Sequence, residues 1–127
     1  MGQMAKSLKL EELDVYKVAM EIGEIVWAVV DKWEYFPKKT LGTQIVNAAD
    51  SIAMNISEGY GRFHFKENKN FCYYSRGSAK ETLTAATKAK TGNLISDEEF
   101  ALLSQKLDSY FRLMYGYINS IGNKGDE

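Results

Sequence analysis

Apolar side chains recur along this chain every three or four residues, the period of an α-helix, in four successive stretches. In the first, Val15, Ala19, Ile22, Val26, Val29 and Trp33 form one row. A second row, Tyr16, Met20, Gly23, Trp27 and Val30, runs beside it. Together they make a stripe wider than a single seam requires. The pattern predicts a first helix over about 10–34. Phe36-Pro37 should end it, because a residue before proline is pushed out of the α region. A second helix is expected over about 40–59, with Thr40 as N-cap and Leu41, Ile45, Ala48, Ile52 and Ile56 as its apolar face. Gly59 and Gly61 can take the left-handed conformation that closes a helix. The third stretch, 65–91, centres on small residues: Ser75, Ser78, Ala79, Thr82, Ala85, Ala86 and Ala89. Small side chains let a neighbouring helix approach closely, and Gly92-Asn93 is a good stop. The fourth, 97–121, opens with a capping box, Ser96 and Glu99. Phe100, Leu103, Leu107, Tyr110, Met114, Tyr117 and Ile121 follow at helical spacing.

No alternating apolar run bounded by turns competes as a strand. Short links between long helices favour antiparallel neighbours. The prediction is an all-α fold, an antiparallel up-and-down four-helix bundle over residues 10–121. Residues 1–9 are read as a flexible N-terminal segment and 122–127 as a polar tail. The first helix has more apolar surface than one small bundle readily covers. Self-association is therefore expected, with Tyr16, Met20, Trp27 and Val30 as candidate interface residues.

Composition adds limits. The 127 residues amount to one domain, and 45% hydrophobic content is ordinary for a globular protein. No apolar run approaches the ~20 residues a membrane span needs, and the first residues lack the apolar stretch of a signal peptide. The lone Cys72 cannot form an internal disulfide and fits a reducing, cytoplasmic setting. Charge is unevenly spread. Residues 62–90 hold seven basic and two acidic side chains, a net of +5, inside a chain whose net charge is -1. Arg62, Lys66, Lys69, Lys80, Lys88 and Lys90, interleaved with Phe63 and Phe65, are the candidates for contact with RNA or DNA phosphates. The acidic balance of the whole, with a pI near 5.9, pulls toward a solvated helix face instead.

Little in the chain reads as an active site. His64, the sole histidine, stands between two phenylalanines with no cysteine or carboxylate at metal-ligand spacing. Cys72 lies eight residues further on, about 12 Å along one helix, too far for a thiol–imidazole hydrogen bond. A di-iron bundle needs two Glu-x-x-His pairs, which one histidine cannot supply. Gly59-x-Gly61 lacks the strand and the lysine ending of a phosphate loop. No catalytic residue, metal, cofactor or small-molecule substrate is predicted. One polar constellation stands out. Gln44, Ser51, Asn55, Glu58 and Arg62 stack along one side of the second helix, and Arg76, Ser78 and Glu81 lie on the third. Such a set could hold a catalytic carboxylate at Glu58 beside Arg76. The reading preferred is a structural network that fixes helix register, with Glu58 paired to Arg62 or Arg76.

The block Asn55-Ile56-Ser57-Glu58-Gly59-Tyr60-Gly61-Arg62, together with Arg76-Gly77-Ser78 and the opening Leu13-Asp14-Val15-Tyr16, resembles a known family. It is similar to the bacterial four-helix-bundle proteins first noticed in intervening sequences of 23S ribosomal RNA genes. The likeness spans about residues 10–121. It implies a ring-like homopentamer and kinship with the accessory protein of diversity-generating retroelements, which partners a reverse transcriptase and binds nucleic acid. The retroelement type is strongly basic and this chain is not. The leading expectation is a non-enzymatic, self-assembling scaffold or adaptor. The alternative is a nucleic-acid-binding accessory factor using the basic face of the third helix.

Overall fold

A computed structural model describes residues 8–122. Four long helices account for most of them: α1 (Asp14–Asp31), α2 (Thr43–Tyr60), α3 (Phe65–Thr91) and α4 (Asp97–Ser120). There is no strand among the described residues. Each helix packs on the next in the chain, and α1 closes against α4. The core runs down the middle. Val15, Ala19, Ile22 and Val26 of α1 meet Ile45, Ala49, Ile52 and Ile56 of α2, and Leu107, Tyr110 and Met114 of α4.

The helix ends differ from the periodic reading in informative ways. Leu10–Glu12 form a 3-10 turn, and Leu13 is extended (φ -76, ψ 124), so α1 begins only at Asp14. Pro37 starts the second helix rather than ending the first. The backbone is already helical at Tyr35–Pro37, behind an extended Glu34. Proline is tolerated there because amides of a first turn have no intrahelical acceptor. Lys38 N–H then donates to the Glu34 carbonyl at 3.0 Å. Thr40 is inside this run and not its cap: its hydroxyl donates back to the Phe36 carbonyl at 2.8 Å. A π turn over Lys38–Gly42 joins this lead to α2. It brings Gly42 against α1, where a Cβ would lie 2.8 Å from Val30 Cγ1.

Gly59 also serves packing rather than termination. It stays helical and buried, and a Cβ there would meet Phe71 Cβ at 2.8 Å. Gly61 is right-handed too (φ -80). The left-handed residue that closes α3 is Asn93, at φ 59. Leu94 N–H donates to Ala89 O and Asn93 N–H to Lys90 O, the paired bonds of a Schellman end. At the start of α4, Glu99 N–H donates to Ser96 Oγ at 3.0 Å and Ser96 N–H to Glu99 Oε1 at 2.9 Å.

The α2–α3 seam is lined by small residues and tied by a buried hydroxyl. Ser75 Oγ donates to the Ile52 carbonyl at 2.8 Å, and Tyr110 O–H donates to Ser75 Oγ at 2.6 Å. Three helices are thus joined through two side chains with no exposed surface. Burial raises the Tyr110 pKa, so the phenol stays a donor.

Candidate interaction faces

The second apolar row of α1 divides once α2 is packed beside it. Gly23 and Val30 are buried and Tyr16 is half-buried. Val30 therefore belongs to the core, clasped by Gly42, and is not an open interface residue. Met20 and Trp27 point outward, 43% and 58% exposed. On α2, Met54 joins them at 69%. Trp27 is held upright by Asp50, its indole Nε1–H donating to Asp50 Oδ2 at 2.8 Å. Gly23 makes room for that carboxylate, since a Cβ there would sit 3.0 Å from Asp50 Oδ1. Two shallow depressions flank the indole. One, about 330 Å³, has a floor of Gly23, Ala49 and Ala53, with Glu24 and Asp50 on its rim. The other, about 380 Å³, lies over Gly42 and Val46. The Trp27–Asp50 pair was missed in sequence because nothing in either helix alone fixes their mutual register.

The predicted polar set does not converge. Glu58 pairs with Arg62 on its own helix at 2.7 Å, and Asn55 Nδ2 donates to the Ser51 carbonyl. Gln44 and Glu81 are exposed. Ser78 is half-buried, and its carbonyl accepts from Thr82. Arg76 lies 5.1 Å over the Tyr73 ring, away from Glu58. The bond that does cross from α2 to α3 is made by Ser75. Its signal was present as a hydroxyl in phase with Cys72, Ala79 and Ala86, all buried here.

The basic residues fall into two groups. Arg62, Lys80 and Lys90 are engaged within the subunit. Arg62 sits 4.8 Å over Phe71, Lys80 Nζ 4.5 Å over Phe111, and Lys90 Nζ 3.3 Å from Asp97. Lys66, Lys69 and Lys88 make no ion pair among the described residues. At 100° per residue, Lys66, Lys69, Tyr73, Arg76 and Lys80 fall on one outer ridge of α3. On the same count Glu67 falls off the ridge, while Glu81 stands at its edge, one turn beyond Gly77.

The 23S rRNA-intervening sequence protein family has a sequence model that matches residues 11–116. The chain belongs to that family. The match begins just before α1 and ends inside α4, so it takes in both the Trp27 face and the α3 ridge. No curated protein matches this family member.

The remaining chemistry of the chain is quiet. Burial pushes the Cys72 thiol up to about 12, so little thiolate is present near neutrality. No group of three or more His, Cys, Asp or Glu among the described residues is placed to hold a metal ion. No helix among them is long and apolar enough to cross a membrane.

Proposed function

We propose that this protein is a non-enzymatic, cytoplasmic scaffold or adaptor that acts as an assembly of its own copies. The carrying observation is the outer face of α1 and α2. There Trp27, Met20 and Met54 stand exposed around a depression floored by glycine and alanine. Exposed aromatic and methionine side chains beside small-residue hollows suit a protein–protein contact better than solvent. The ring-like homopentamer implied by the family resemblance is the assembly expected. Light scattering coupled to size exclusion tests it. The protein should run as an oligomer at micromolar concentration, and Trp27→Glu should move it toward monomer. A wild-type chain that runs as a clean monomer would sink the reading.

A second reading has its own support in the α3 ridge, where unpaired lysines flank an exposed Tyr73. It takes the protein as a nucleic-acid-binding accessory factor, in which phosphates meet the lysines and a base stacks on the tyrosine. Anisotropy with a structured RNA, titrated at rising salt, tests this. Affinity should fall steeply with salt and be lost in Lys66→Glu with Lys69→Glu. Binding indifferent to both would count against it.

A further inference from the structure

We infer that the copies join head to tail: the Trp27 face of one copy receives the outer ridge of α3 from the next. The inference rests on the self-assembly reading and adds what that reading leaves open, the surface on the other side of the contact.

Charge supplies the first argument. Of the two depressions beside Trp27, the one floored by Gly23 has Glu24 and Asp50 on its rim and no basic side chain lines it, while the one over Gly42 is lined by Lys38 together with Asp31. Two copies meeting through their Gly23 hollows would set acid against acid over an apolar centre. The α3 ridge carries the opposite sign, with Lys66, Lys69, Arg76 and Lys80 on it, and its own exposed aromatic, Tyr73. Complementary potentials steer an encounter and fix its register.

Shape supplies the second, independent of charge. Gly77 stands in the middle of the 27-residue α3, where glycine is less favourable than alanine. Gly23, Gly42 and Gly59 each answer a close approach within the subunit. Gly77 does not, because a Cβ there would meet nothing within 4 Å. It leaves a notch in the ridge between Tyr73 and Lys80. The Trp27 face has the reciprocal relief, an upright indole beside a hollow floored by Gly23, Ala49 and Ala53. Indole into notch and Tyr73 into hollow pairs each projection with a gap. Gly116 of α4 is equally open, but it lies beside Arg112 and Leu113, away from the basic ridge.

The two surfaces do not overlap, so the contact is heterologous, and every copy in a chain of them presents one free face of each kind. Such contacts close into a ring when the rotation between neighbours divides a full turn.

The test uses two damaged chains and their mixture. Met54→Lys damages the Trp27 face, setting a cation against the basic ridge, with Trp27→Lys as the second variant. Tyr73→Glu with Arg76→Glu damages the ridge. All are exposed positions, and circular dichroism checks that the helices persist. Each damaged chain alone should run as a monomer. Mixed in equal amounts, the two should give a one-to-one heterodimer and nothing larger, since one good surface of each kind survives. Gly77→Leu sharpens the result. It should weaken assembly tenfold or more while the melting temperature of the dissociated chain holds or rises, which a merely structural glycine would not do. The inference fails if wild type assembles but the mixture stays monomeric, for the contact is then between like faces. It also fails if ridge variants assemble like wild type, including the case where they lose only affinity for single-stranded RNA. A monomeric wild type would remove the self-assembly reading itself.

Discussion

The α2–α3 seam and the outer face of α1–α2 are built from the same kind of residue and end in opposite states. At the seam, Ala79, Ala86 and Gly59 let α2 and α3 close until Ser75 has no exposed surface. On the outer face, Gly23, Ala49 and Ala53 also strip bulk away, and there the space stays open beneath Met20, Trp27 and Met54. Small residues therefore mean close approach only where the chain itself supplies the approaching helix. Where it does not, they leave a hollow for something else.

The largest expected effect separates two residues one half-turn apart on α2. Ile52→Ala removes a fully buried side chain at the seam and should cost about 2–5 kcal/mol in urea unfolding. Met54→Ala, on the open face, should change the stability of the dissociated chain by no more than about 0.5 kcal/mol. Equal losses would erase the distinction between seam and face. Next comes Gly59→Ala. Its Cβ would fall 2.7 Å from Asn68 Oδ1 and 2.8 Å from Phe71 Cβ, so α2 and α3 must part, at about 1–3 kcal/mol.

Alkaline unfolding probes the dryness of the seam. Cys72 has no exposed surface, and burial raises its pKa from 9.0 to about 12. Between those values the folded chain holds a proton that the unfolded chain releases. Stability from this group is therefore complete below pH 9 and is lost as pH rises toward 12. Tyr110, also raised by burial, acts in the same direction. Denaturant midpoints should fall above pH 9, and Cys72→Ala should flatten part of that slope. A slope unchanged by the substitution would mean that water reaches the seam. Tyr110→Phe should cost about 1 kcal/mol, since Ser75 keeps its bond to Ile52 and only one donor is lost.

How far these states could be foreseen depends on whether the cause is local. Helical periodicity is local, and four long helices with no strand among the described residues follow from it. The Ser96–Glu99 box is local as well, with both partners within one turn. Pro37 was misread because proline both ends helices and begins them, and only the extended Glu34 before it decides which. The second row of α1 could not be divided in sequence. Gly23 and Val30 lie under α2 while Met20 and Trp27 do not, and that follows from how two helices cross. Within the polar set on α2 and α3, Glu58 takes Arg62, one of its two expected partners, but the set does not link the two helices, for a related reason. Residues stacked on one helix pair with each other, as Glu58 and Arg62 do, more readily than across a seam of small residues. The hydroxyl that did cross, Ser75, was hidden among the alanines it resembles in size.

The smallest effect isolates the cause most cleanly. Gly77→Ala changes one hydrogen into a methyl on the open ridge of α3, with nothing within 4 Å to obstruct it. Helix propensity alone then acts, and the dissociated chain should gain about 0.5–1 kcal/mol. Gly59→Ala is the same chemical change in α2, where the sign reverses because Asn68 and Phe71 already occupy the space. Thermal unfolding of the two variants side by side, in the dissociated chain, checks the pair. A loss at Gly77 would mean that the glycine answers a strain within the subunit, and the open ridge would then have to be read as part of the packed fold.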